Sequence, residues 1–210
     1  MHIRNIIVGV IHTNSYLLID DETNISAVVD PGFNADKLIE EIDKTGTELK
    51  YIILTHAHFD HCYEASIIKE HYNAKIICNA LSKEVAASDD YNQSMSFMHK
   101  HLDLKLDDND IYLNDNDEFD IGSLHFKMIY VGGHTLDSSA YYNKDQRIVI
   151  TGDTLFFESV GRSDLPGGDS ELLFDNLENK ILALPDNTRV LPGHGPETNI
   201  GHEKVYNEYI

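Results

Sequence analysis

The sequence predicts a layered α/β domain, and three observations carry that expectation. Short β-branched runs alternate with segments of helical periodicity along the whole chain. Residues 51–54 are apolar throughout, as in a strand buried on both faces. The 210 residues suffice for one domain, 1–210, whose core buries roughly 70% of the unfolded chain's surface, and no Gly/Ser- or Pro-rich linker or internal repeat divides them. A composition of 41% hydrophobic and 25% charged residues excludes collagen-like, coiled-coil and disordered classes.

Strands are expected over 3–8, 15–19 and 25–29, the last ended by Asp30-Pro31-Gly32. A helix over 35–44 follows, because Leu38, Ile39 and Ile42 share one face. After the strand 51–54 come a helix over 63–71, a strand over 75–78 and a helix over 81–87. The acidic clusters Asp107-Asp108-Asn109-Asp110 and Asp115-Asn116-Asp117 read as surface turns on either side of a strand at 111–113. Further strands are expected over 124–131, 139–142 and 147–150. A helix over 171–182 has Asp169 or Ser170 to cap it. The strand 189–191 runs into Pro192-Gly193, and a last helix covers 202–209. This pattern is compatible with one sheet or with two packed sheets.

Charge narrows the partners. With 36 Asp+Glu against 16 Lys+Arg the net charge is −20, which repels phosphate backbones and anionic lipid heads and argues against nucleic acid and membrane. Cys62 and Cys78 are too few for a disulfide framework. The apolar run 6–11 is short of a signal-peptide core, and no stretch reaches the roughly 18 apolar residues of a membrane span. A cytoplasmic protein with reduced thiols is the expectation.

The twelve histidines point to the chemistry. Thr55-His56-Ala57-His58-Phe59-Asp60-His61 places three imidazoles and a carboxylate directly after the buried strand 51–54. In a loop leaving a strand, His56 and His58 can point the same way and grip one cation, with Asp60 and His61 facing a second cation or a bound water. Zinc accepts such N and O ligands at roughly 2.0–2.2 Å. His134 follows Gly132-Gly133, Asp153 follows Gly152, and His194 lies in Pro192-Gly193-His194-Gly195-Pro196. Each sits on a glycine-bearing loop beyond a strand, where α/β proteins build their sites and where small residues let the backbone approach closely. The other seven histidines, such as His71 and His202, have no such setting. Cys62 reads as an apolar filler at the start of a helix. No G-x-S-x-G nucleophile pattern occurs.

These motifs, from Leu54 to Pro196, resemble in order the five metal motifs of the metallo-β-lactamase superfamily. The resemblance implies a four-layer αββα sandwich with a metal site at one edge between the two sheets. It also implies that His56, His58 and His134 hold one ion, that Asp60, His61 and His194 hold the other, and that Asp153 bridges them. The ions implied are two Zn²⁺ per chain, with Fe or Mn as alternatives. Thr151-Gly152-Asp153-Thr154-Leu155-Phe156 and Gly161-Arg162-Ser163-Asp164-Leu165-Pro166-Gly167-Gly168 resemble the short glyoxalase II-type hydrolases, which cleave thioesters of 2-hydroxy acids. A small-molecule thioester is therefore the expected partner. A shared water of lowered pKa would attack the carbonyl, with Asp60 orienting it or serving as ligand alone. A mononuclear-iron persulfide dioxygenase is the alternative enzyme, and a metal-binding scaffold or sensor without catalysis is the alternative outside enzymes. Arg162 is expected to pair with Asp164 and hold its loop. Two departures lie near the pocket. The family's His-Thr-Pro-Gly is here His134-Thr135-Leu136-Asp137, which reads as a looser, acidic turn, and its glycines after the H-x-D-H motif are here Tyr63-Glu64.

Overall fold

The computed structural model describes residues 1–210. Six strands form the first sheet in spatial order of sequence: β1 (His2–Val8), β2 (Thr13–Ile19), β3 (Ile25–Val29), β4 (Glu48–Ile53), β5 (Lys75–Asn79) and β6 (Ile111–Leu113). The first three are antiparallel, and β3 to β6 run parallel because α1 (Ala35–Asp43), α2 (Phe59–Cys62), α3 (Ala65–Tyr72), α4 (Ser82–Ala87), α5 (Asp89–Asn92) and α6 (Ser94–Met98) lie on the crossovers. The second sheet contains β7 (Glu118–Ile121), β8 (Leu124–Tyr130), β9 (Ser139–Asn143), β10 (Ile148–Gly152), β13 (Arg189–Pro192) and β14 (Thr198–Asn199), ordered β14-β13-β10-β9-β8-β7. A small hairpin, β11 (Leu155–Phe156) with β12 (Ser159–Val160), follows β10, and α7 (Ser170–Asn176) and α8 (Ile200–Tyr206) complete the chain.

Side-chain alternation builds the layers. Along β2, Tyr16 and Leu18 face inward and meet Phe126, Tyr141 and Ile150 of the second sheet, while Leu17 faces outward. That outer face is covered by Leu38, Ile42 and Ile68 of α1 and α3. Leu177, Ile181 and Ile200 cover Val131, Val149 and Val190 on the far side of the second sheet. The result is helix, sheet, sheet, helix. Strand β2 is buried at all seven positions because both of its faces are roofed. No helix is long and apolar enough to cross a membrane.

Several expectations need correction. The helix expected over 63–71 is α3, Ala65–Tyr72, and the separate turn α2 before it was not expected. The helix expected over 171–182 is α-helical to Asn176 and continues as a π turn over Leu177–Ile181, and Asp169 caps it by accepting from Leu172 N–H at 3.0 Å. The last helix starts at Ile200 and ends at Tyr206. Asp110 is no surface turn residue. Its side chain is buried, receives Lys69 Nζ at 2.7 Å and accepts from Ile76 N–H at 2.8 Å. Strand β7, α5, α6 and the β11–β12 hairpin were not expected.

Candidate metal centre

All seven predicted ligands converge at one edge of the sandwich. The first sheet sends His56 and His58 from the loop after β4, and Asp60 and His61 from α2; the second sends His134 from beyond β8, Asp153 from beyond β10 and His194 from beyond β13. His56 Nε2 lies 3.2 Å from His58 Nδ1, and His134 Nε2 lies 3.0 Å from the same atom. Asp60 Oδ2 lies 3.3 Å from His61 Nε2 and 3.2 Å from His194 Nε2. Asp153 stands between the groups, 3.4 Å from His61, 3.5 Å from His194 and 3.7 Å from His134.

Neighbours fix which nitrogen faces inward. His61 Nδ1 donates to Asp30 Oδ2 at 2.9 Å, and His134 Nδ1 donates to the Arg162 carbonyl at 2.7 Å. The Thr55 hydroxyl gives its hydrogen to Asp30 Oδ2 at 2.6 Å and so accepts from His56 Nδ1 at 3.0 Å. Each of these three rings therefore turns its Nε2 toward the centre. Asp30 and Thr13, whose hydroxyl donates to Asp60 Oδ2 at 3.2 Å, support the site but were not recognised in the sequence. Asp30 read as a strand-ending turn residue; its one signal was a carboxylate beside a strand buried on both faces. Nothing marked Thr13 or the Arg162 carbonyl.

Two glycines show how tightly the loops close. A Cβ on Gly193 would overlap the Asp153 carboxylate, and one on Gly161 would overlap the Asp153 carbonyl. Arg162 pairs with Asp164 through Nε at 2.7 Å and a second nitrogen at 2.9 Å, as expected for a brace on this loop. The departures are structural too. Tyr63 stacks on Phe33 with ring centroids 5.5 Å apart, and Glu64 accepts from Ala35 N–H at 2.6 Å, filling the start of α1 where Asn34 supplies no side-chain cap. The turn at Leu136-Asp137 is not loose. Leu136 packs against Gly167, and the buried Asp137 carboxylate accepts from Ser82 at 2.7 Å and Thr135 at 2.8 Å. Cys62 is buried in the core with its thiol on the His58 carbonyl, as a filler would be.

The electrostatics suit cations. Burial holds His56 far below the ordinary imidazole pKa and pulls His58 down to about 3, so both rings stay neutral and their lone pairs free. Burial opposes charge on Asp60 and Asp153, yet His61 outweighs it, leaving Asp60 well below its usual range and Asp153 at about 2. Burial likewise opposes charge on His61 and His194. The carboxylates of Asp60, Asp153 and, for His61, Asp30 prevail and raise both. His61 Nε2 and Asp153 Oδ1 are buried with no hydrogen-bond partner, which leaves them as donors for an ion. Three groups, His56/His58/His134, His56/His61/Asp153 and Asp60/His61/His194, each bring their donor atoms within 4.8 Å of one another. Ligands at about 2.05 Å on a tetrahedral ion stand about 3.3 Å apart, close to the observed nitrogen spacings. The residues fit metal ions. Solvent reaches them from the His194 side, where that side chain keeps 26% exposure against 0% for His61.

Comparison with known proteins agrees with this geometry. The model of the metallo-beta-lactamase superfamily matches residues 8–194. A probable metallo-hydrolase, YqgX of Bacillus subtilis, is 34% identical over 99% of this chain and 96% of its own length. The hydroxyacylglutathione hydrolase GloC of Haemophilus influenzae is 32% identical over 100% and 98%. Among solved structures, the B3 metallo-beta-lactamase BLEG-1 superposes with a TM-score of 0.90 at 32% identity, covering 99% of both chains. TTHA1623, in a di-iron-bound form, does so with a TM-score of 0.87 at 30% identity, covering 99% of this chain and 100% of its own.

Proposed function

Since the chain belongs to the metallo-β-lactamase superfamily, we propose that it is a dinuclear metal-dependent hydrolase that cleaves thioesters of 2-hydroxy acids. The observation that carries the reading is the 161–168 loop. Its glyoxalase II-like residues brace the centre itself, Arg162 through its carbonyl on His134 and Gly161 against Asp153. Similarity to GloC over the full length of both chains supports it. A mononuclear dioxygenase would need one ligand group alone, whereas the complete Asp60/His61/His194 group supports two ions. Zinc is the ion proposed, with iron the first alternative, since TTHA1623 holds two irons.

Bound metals supply Lewis acidity and a water that loses its proton near neutral pH. The chain's own residues do the rest. Asp60, held by Thr13 and facing both His61 and His194, is placed to take the proton of the attacking water and pass it to the departing thiol. A thiolate leaves readily, so no separate strong acid is required. The glyoxalase II-like loop lies against the ligand residues themselves, so recognition is placed on the acyl half beside them. Buried, free Cys62 and Cys78 are compatible with the cytoplasmic setting proposed.

BLEG-1 supports a second reading, β-lactam cleavage. One panel separates them: S-lactoylglutathione, the same acyl group on cysteine and on an alkyl thiol, and a chromogenic cephalosporin. The proposal expects thioester cleavage with kcat/KM within about tenfold across carriers, or about 1.4 kcal/mol. Cephalosporin cleavage with no thioester turnover would replace it with the second reading.

A further inference from the structure

Helix α6 carries exposed apolar side chains stacked against the ligand-bearing turn α2. Phe97 is 56% exposed and Met95 38%. The Phe97 ring lies on that of Phe59, with centroids 5.2 Å and planes 18° apart. Phe59 stands between His58 and Asp60 in sequence and meets Phe33 edge-on at 6.1 Å. At the other end of the segment, Tyr91 and Leu136 converge on Gly167 of the loop that braces His134. The excursion thus links the loop that braces His134 to the ring between His58 and Asp60, as a wall beside the centre would. It is built firmly. Ser88 accepts from Tyr91 N–H at 3.3 Å to cap α5, and Asn92 accepts from Ser94 N–H at 2.8 Å and donates to the Ala86 carbonyl at 2.9 Å.

The composition of the wall decides what it takes. Residues 94–98, Ser-Met-Ser-Phe-Met, hold no charge in a chain that is 25% charged. They offer nothing to the carboxylates of a peptide thiol, but the half-exposed Phe97 ring, stacked on the buried Phe59, gains by being covered with apolar surface. Resting on the thioester reading above, we propose that α5 and α6 form the side wall of the acyl subsite. Phe97 is then the specificity-determining residue, favouring 2-hydroxyacyl groups with an aryl or extended alkyl side chain over the methyl of lactoyl.

Mandeloyl and lactoyl groups on one thiol, glutathione, differ at that side chain alone. With metal-loaded protein the expected kcat/KM ratio is at least about tenfold for mandeloyl, about 1.4 kcal/mol. Phe97→Ser should bring the ratio close to one, and Phe97→Leu, which keeps an apolar side chain, should restore part of it. Thioester turnover with a wild-type ratio near one, or with a ratio unchanged in both variants, overturns the wall and leaves the thioesterase reading standing. Should no thioester be cleaved, that reading fails, and calorimetry of mandelate and lactate against the same protein decides the wall without turnover. Tighter mandelate binding that Phe97→Ser abolishes supports it; equal binding of the two acids overturns it.

Discussion

Asp60 and Asp153 both bring a carboxylate to the centre, and their surroundings divide the work between them. Asp153 reaches His61, His134 and His194, spanning the two ligand groups. Asp60 meets His61 and His194, with Thr13 behind it, so its carboxylate belongs to one group. Asp60→Asn should therefore lower kcat by about 10²–10⁴-fold with KM little changed and both metals retained, as measured by steady-state kinetics beside elemental analysis. Full turnover with metals bound would reduce Asp60 to a ligand. The histidines set a pH signature. His56 and His58 have folded pKa values below the ordinary 6.5, so the metal-free protein loses their contribution as pH falls below 6.5. His61 and His194 have raised values, so their contribution is full below 6.5 and is lost as pH rises through those values. Metal ions compete with the protons on His61 and His194. Melting temperatures of metal-free and reloaded protein should therefore diverge as pH rises from about 6.5 to about 9; a gap that narrows over that range would contradict the assignment.

At the scale of elements, the departures around α1 and α2 turn out to be fastenings. Asn34 spends its side chain on the Gly9 amide, and Glu64 takes over the first turn of α1 from across the chain. Glu64→Ala should cost about 1 kcal/mol in urea unfolding, with a loss below a few tenths showing that the contact carries no weight. The seven converging residues were legible in the sequence because the H-x-H-x-D-H alternation follows an apolar strand and the other three sit on glycine-bearing loops after strands, patterns a surface turn does not need. The long strands and α1 were legible for the same reason of periodicity. Strand β7 has two inward residues, Phe119 and Ile121, too few to register as alternation. Helices α5 and α6 are made by Ser88 and Asn92 side chains rather than by an apolar face. The π turn is hidden because Leu173, Leu177 and Ile181 recur every four residues, as they would in a continuous α-helix. Asp110 and Asp137 read as polar turn residues because the partners that bury them, Lys69 with Ile76 and Ser82, lie 34 to 55 residues away.

Across the whole molecule the centre is a clasp between two sheets. Asn14 of β2 donates its backbone N–H to Gly193 at 2.7 Å and its side chain to Pro192 and Gly195 at 3.0 and 2.8 Å, so His194 is held across the interface by the protein alone. Ions shared by ligands from both sheets would tighten that clasp, because metal binding free energy adds to folding free energy. Chelation should lower the melting temperature, and re-addition should restore it; a melting temperature indifferent to chelator would argue that the ligand groups hold no ion. The central claim, two ions working together on a thioester, is tested most directly by titrating Zn²⁺ into metal-free protein while following S-lactoylglutathione cleavage. The account predicts activity that saturates at two equivalents per chain. Saturation at one equivalent, or no cleavage at any stoichiometry with zinc, iron or manganese, would contradict it.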